Sequence, residues 1–237
     1  MLVTQEFTIK IGNKTLLDDM HLTYGPGVHV IMGPNGVGKS SFAHALMGHP
    51  HYTTLGAVEY NGKDLLSMQT HERAQAGLFV SFQNPVPIEG LSNFQLMRQV
   101  LHKKSLSTIT DSLKTFKDIA NEYKLPEQWD KRTLNVEASG GEKKKNELIQ
   151  LEMINPQTAI LDEPDSGLDI DAIKILTEKL KQFAEQEDKC LIVISHYREL
   201  IEDLDPTSVT IFGRKRVVQQ DGASLAHKVL DNGFDGY

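Results

Sequence analysis

Cys190 is the only cysteine in a chain of 237 residues. One thiol closes no internal disulfide and cannot by itself hold a metal cluster or a Cys-rich zinc site, so both classes are excluded. Cys190 is expected as a small core residue. Long apolar runs are missing too: no stretch reaches the roughly 18 residues of a membrane-spanning helix. The opening residues, Met1-Leu2-Val3-Thr4-Gln5-Glu6-Phe7, have neither the basic start nor the apolar run of an export signal. With the lone thiol, this sets the expectation of a cytoplasmic protein that meets a membrane only through a partner. Basic surplus is absent: 25 Lys and Arg against 32 Asp and Glu leave −7. That argues against phosphate-backbone binding of nucleic acid as the main role. There is no internal repeat and no low-complexity tract. What is present, 39% apolar and 24% charged residues, suffices to build a core, in one large domain or two small ones.

The pattern along the chain is α/β. Residues 6–11 alternate as a strand, Asn13 and Lys14 form a hairpin tip, and residues 20–24 return. After the turn at Pro26-Gly27, Val28 to Met32 is a short apolar strand. Ser41 to Met47 reads as a helix that Gly48 ends. Residues 57–60 with Asn61-Gly62 predict another hairpin, and Leu78 to Phe82 a strand. Past Pro85 and Pro87 the period becomes helical to about residue 152. Leu106, Ile109, Leu113, Phe116, Ile119 and Tyr123 mark one helix face, which Pro126 stops, and residues 142–153 mark another helix. Within the latter, Lys143, Lys144 and Lys145 read as a solvated face. Strand–helix alternation then resumes: Ala159 to Leu161, a helix on Ile173, Leu176, Leu180 and Phe183, Leu191 to Ile194, and two strands about Gly213. The expected organisation is an α/β core of residues 1–84 and 153–237, interrupted by a helical insertion at 85–152.

Residues 33–40, Gly33-Pro34-Asn35-Gly36-Val37-Gly38-Lys39-Ser40, match G-x-x-x-x-G-K-[ST] between an apolar strand and a helix that runs on through Ser41. Glycines let successive backbone N–H groups converge on one anion, and the following helix aims its positive end there. Lys39 is suited to the β- and γ-phosphates of a nucleotide, and the Ser40 hydroxyl to Mg²⁺. A second signal is Thr158-Ala159-Ile160-Leu161-Asp162-Glu163. There an apolar strand delivers two carboxylates to the binding edge of a parallel sheet. Asp162 is expected to hold hydrated Mg²⁺, and Glu163, pointing the other way along the strand, to polarise a water.

The segment Ala138-Ser139-Gly140-Gly141-Glu142 then resembles the signature loop of ABC-type ATPases, Leu-Ser-Gly-Gly-Gln, with Ala138 and Glu142 as departures. Gln83 matches that family's Q-loop glutamine, Ser166-Gly167-Leu168-Asp169 its D-loop, and His196 its switch histidine. The order of the motifs is the family's, and the resemblance covers essentially the whole chain. It implies a P-loop fold of ABC ATPase type, a mixed-sheet core with an antiparallel β subdomain and the helical insertion. It implies ATP hydrolysis at an interface between two copies. Ser139, Gly140 and Gly141 of one copy would face the γ-phosphate held by the other, and His196 would hold the γ-phosphate and attacking water. Gln83 would link Mg²⁺ to the helical insertion. Ile11 stands where the family stacks adenine on an aromatic, so the base would be packed without the π term. The strictness of ATP over GTP stays open on that account.

Smaller details are similar to the SufC subfamily, the ATPases of SUF iron–sulfur cluster assembly. These are Met47-Gly48-His49-Pro50, Gln83-Asn84-Pro85, the run from Gly140 to Glu147, Asp165 through Ala172, and Ser195-His196-Tyr197. Pro164 departs from the threonine expected there. The resemblance implies SufB-like and SufD-like scaffold partners docked around the Q-loop and helical insertion. The alternative is the ATP-binding subunit of a membrane importer, which Pro164 favours and Asp165 and the 142–147 run disfavour. A translation-associated ABC protein usually carries two ATPase domains per chain, and 237 residues accommodate one.

Overall fold

The computed structural model describes residues 1–102 and 109–234. In chain order the elements are β1 (Leu2–Ile11), β2 (Lys14–Tyr24), β3 (Gly27–Met32), α1 (Lys39–Leu46), β4 (Thr53–Tyr60), β5 (Lys63–Asp64), α2 (Thr70–Gln75) and β6 (Leu78–Val80). They continue with α3 (Asn93–His102), α4 (Ile109–Glu122), a 3₁₀ turn (Trp129–Lys131), α5 (Gly140–Ile154), β7 (Thr158–Asp162) and α6 (Ile170–Ala184). The chain closes with β8 (Cys190–Ile194), α7 (Arg198–Leu204), β9 (Ser208–Gly213), β10 (Arg216–Asp221) and α8 (Ser224–Asn232). Leu106, expected on a helix face, lies outside the described residues. The residues divide into two compact units. One comprises Met1–Ser81, Pro156–Pro164 and Leu180–Tyr237; the other, Phe82–Asn155 and Asp165–Lys179.

The first unit holds both sheets. β2-β1-β4-β5 is antiparallel, and β10-β9-β3-β8-β7-β6 is parallel except for β10 on its edge. β7 (TAILD) and β8 (CLIVI) are buried at every position. Such unbroken runs belong in a parallel sheet covered on both faces. A core shared by both sheets surrounds α1. Phe42 of that helix meets Phe7, Tyr24 and Phe212 edge-on, with ring centroids 6.3, 6.5 and 5.5 Å away. Aromatic pairs prefer this geometry. Gly48, in the left-handed conformation (φ 79°), lies just past the end of α1 as expected. Cys190 is in the core as expected, and burial pushes its thiol up to about 12. The strand expected to reach Phe82 stops at Val80, and the short helices α2, α7 and α8 add to those expected.

In the second unit α3, α4 and α5 bury apolar residues such as Met97, Phe116, Leu148 and Ile149, and a polar network runs among them. Asn146 accepts the indole N–H of Trp129 (3.0 Å) and donates to Asn93 (2.9 Å) and Asn135 (3.3 Å). Asn93 in turn donates to the carbonyl of Trp129 (2.9 Å). The Tyr123 hydroxyl binds Glu152, which pairs with Lys179 at 3.3 Å. Lys144 is not on a solvated face: it is 4% exposed, because its ammonium has inward acceptors. Lys143 and Lys145 are half-buried.

Candidate active site

Parallel pairing sets the site in the first unit. Ile31 of β3 and Asp162 of β7 both stand opposite Ile194 of β8. The carboxyl ends of three neighbouring strands are therefore level. From this one edge emerge the 33–41 segment, Asp162 with Glu163, and Ser195 with His196, at the place where open α/β sheets bind ligands.

The 33–40 loop is built as an anion cradle. Gly33 (φ 151°) passes so close to β9 that a Cβ would lie 2.3 Å from the Phe212 carbonyl oxygen. Gly38 (φ 113°) is the residue before α1, and a Cβ there would press on the Leu17 side chain at 3.0 Å. Neither position admits a larger residue without moving the loop. Lys39 is 6% exposed, and its Nζ donates to the carbonyls of Gly33 (2.7 Å) and Pro34 (3.1 Å), so the ammonium curls over the loop. Burial lowers its pKa from the ordinary lysine value, opposed by the carboxylates of Glu163 and then Asp162. Pro34, Asn35 and Gly36 are exposed, Val37, Gly38, Ser40 and Ser41 half-buried. This arrangement suits a polyphosphate. For a cation, Ser40 and Asp162 offer hard oxygen donors. Among the described residues, no group of three or more His, Cys, Asp or Glu could hold a metal alone. An ion here would complete its shell from phosphate oxygens and water, which is how Mg²⁺ is usually held.

Asp162 is fully buried, and its N–H donates to Ser81 Oγ at 3.1 Å. β7 ends there. Glu163 leaves the strand with φ 46°, its N–H donating to the Ile194 carbonyl at 2.9 Å. Strand alternation, used above to orient Glu163, therefore does not apply: a left-handed turn directs this half-buried residue. Such a conformation costs a non-glycine residue about 1–3 kcal/mol. Ser195 is buried and accepts the Tyr197 N–H at 3.0 Å. His196, exposed, stands edge-on to Phe234, ring centroids 5.9 Å apart.

Ser139, Gly140, Gly141 and Gln83 belong to the second unit. Ser139 caps α5 reciprocally with Glu142. Its N–H and hydroxyl donate to Glu142 Oε2 at 2.8 Å each, and its Oγ accepts the Glu142 N–H at 3.3 Å. That is a capping box. The Ser139 N–H, first among several contacts, holds the Glu142 carboxyl below its usual range. The first amides of α5, Gly140 and Gly141, have no intrahelical acceptor and form an anion-receptive end. A Cβ on Gly141 would lie 3.2 Å from the Gly167 carbonyl, so the signature and D-loop segments touch. Gln83 is exposed, as are Ser166 and Gly167. Ile11, 37% exposed, sits at the tip of the β1–β2 hairpin. Nothing in the sequence pattern points to Glu147, whose carboxylate is buried beside the backbone next to Gln83. A charged residue on a helix reads as solvated unless its partner is visible.

A family model described as "ABC transporter" matches residues 17–166, and the chain belongs to that family: it is an ABC-type ATPase, which binds and hydrolyses ATP. Among its relatives is "Probable ATP-dependent transporter SufC" of Escherichia coli, 35% identical over 99% of this chain and 97% of that protein. "Vegetative protein 296" of Bacillus subtilis is 39% identical over 99% of this chain and 92% of that protein. A solved "ATP binding subunit of ABC transporter" superposes with a TM-score of 0.81 at 21% identity, over 100% of this chain and 95% of that one. A dimeric post-hydrolysis ATP-binding cassette bound to ADP and Pi gives 0.80 at 18%, over 94% and 99%. These two likenesses bear out the mixed-sheet ABC ATPase fold expected from the sequence.

Proposed function

We propose that this chain is the cytoplasmic ATPase subunit of an iron–sulfur cluster assembly complex, converting ATP hydrolysis into movement of SufB-like and SufD-like scaffold proteins. The end-to-end match to a protein named SufC carries this reading, supported by the Gly140–Glu147 and Asp165–Ala172 runs. The lone buried thiol fits a protein that builds no cluster itself; the cluster is cargo of the scaffold.

In this reading residues 33–41 cradle the phosphates, with Lys39 leaving its loop carbonyls for the β- and γ-phosphate oxygens. Ser40 and Asp162 would hold Mg²⁺, which when bound would offset phosphate charge, and Gln83 of the second unit is the further ligand that the family resemblance implies. Glu163 takes a proton from the attacking water, and His196 steadies that water and the γ-phosphate. A second copy presents Ser139, Gly140 and Gly141, adding donors where charge develops. The Ser139 hydroxyl must then turn from Glu142 to the phosphate.

The other reading, an importer subunit, is favoured by Pro164 and by the word "transporter" in the relatives' names. Purification of the full chain with its partners, without detergent, separates the two. Recovery of soluble scaffold proteins is expected; a polytopic permease as the sole stoichiometric partner would overturn the assembly reading.

A further inference from the structure

Phe82 directly precedes Gln83, and its backbone is held in an unusual way. The preceding strand has ended, so neither polar group of Phe82 joins a ladder there. Instead its N–H donates to Glu147 Oε1 (2.8 Å), and its carbonyl, part of the peptide joining it to Gln83, accepts from Lys144 Nζ (2.8 Å). Lys144 and Glu147 lie one turn apart on α5 and pair with each other at 3.8 Å. Their side chains are only 5% and 8% exposed. Two peptide planes flank the Phe82 Cα, and each is fixed by an ionised, water-shielded group. Charge-assisted bonds of this kind are stronger and more directional than neutral ones. The grip extends further: Asn135, bonded to Asn146 of the same helix, donates to the Val86 carbonyl at 3.2 Å. Phe82 itself is 43% exposed and Val86 68%, so apolar burial does little to hold this stretch.

We infer that Lys144 and Glu147 are positioning residues which, by clamping both peptide groups of Phe82, set the direction in which Gln83 leaves the chain and so tie that glutamine to the helix begun by Ser139. A neutral pair would satisfy the same valences. A buried ion pair additionally penalises any rotation of the Phe82 peptides, since rotation strands a charge. Segment and helix thereby move as one body.

This inference rests on the proposed role of Gln83 in hydrolysis, and a double-mutant cycle on the full chain distinguishes the two. Gln83→Ala, Glu147→Ala and the double variant are compared for kcat, ATP affinity and thermal unfolding. Glu147→Ala is expected to lower kcat about ten- to hundredfold, the size of losing a bond to a charged group, with ATP affinity within about twofold. On the Gln83→Ala background the same change should have almost no further effect on kcat. Glu147→Gln, which keeps the volume and one acceptor, should restore most of the rate. Should the alanine chain not fold, the cycle run with Glu147→Gln carries the test, through a smaller fall again absent without Gln83. Losses that multiply in the double variant, or a kcat fall matched by an equal fall in ATP affinity, would overturn the inference while leaving Gln83 in its role. A Gln83→Ala chain with unchanged kcat would overturn the role of Gln83 and the inference with it.

Discussion

The two units differ in what fills the interior of each. In the first, β3, β7 and β8 bury nearly every side chain they carry, and the core is Leu, Ile, Val and Phe. In the second, buried apolar residues such as Met97, Phe116, Trp129, Leu148 and Ile149 share the interior with Asn93, Asn135, Asn146, Lys144 and Glu147, each of these five bonded to a named partner. Apolar contact is non-directional and tolerates swaps that conserve volume. A polar network demands one geometry, and each member removed strands others. The unit with the signature residues therefore adds to its apolar packing a network that holds one specific arrangement.

The largest effect expected from any substitution is on chemistry rather than folding. Glu163→Gln should lower turnover about 10²–10⁴-fold while ATP still binds. Near-normal hydrolysis in a steady-state assay would remove Glu163 from the role of base. Next comes the second unit's network. Asn146→Leu keeps the volume but leaves the Trp129 indole N–H and the Asn93 and Asn135 carbonyls without this partner. The expected cost is about 3 kcal/mol or more in urea unfolding. The matched change in the first unit, Ile192→Val in β8, should cost only about 1 kcal/mol. Equal costs would erase the contrast between the units.

The smallest effect is a pH dependence seated in the apolar unit. His29 is 4% exposed, between the Ser208 hydroxyl (2.8 Å) and the Gly25 carbonyl (2.9 Å), and burial lowers its pKa below the ordinary 6.5. His44 is lowered as well, chiefly by burial. A depressed histidine stays neutral when folded but protonates when unfolded, so the unfolded state binds more protons below pH 6.5. Stability is fully retained above that value and falls as pH drops through the folded pKa. His29→Gln should flatten this acid limb in melts taken between pH 8 and 5; an unchanged slope would assign the dependence elsewhere.

The contrast between units also explains what could be read beforehand. The strands and α1 announced themselves because apolar periodicity and the glycine–lysine loop are local signals. α2 escaped because Arg73 is its one buried residue, and that burial serves hydrogen bonds to the Ala45 and Leu46 carbonyls rather than packing. Lys144 and Glu147 escaped because a charge is read as solvated until its partner, here the Phe82 backbone far away in sequence, is known. The placement of Asp162 follows from the strand preceding it. The direction of Glu163 does not, since a left-handed turn after the strand sets it.

Cys190 gives the chain a property useful at the bench. With its thiol pushed up to about 12, the thiolate is at most about one part in ten thousand near neutral pH, and the side chain is 2% exposed. The wild-type protein therefore behaves as a cysteine-free background. A maleimide dye or spin label directed to a cysteine introduced at exposed Phe82 or Ser139 reports from that position alone, with no native thiol to remove first.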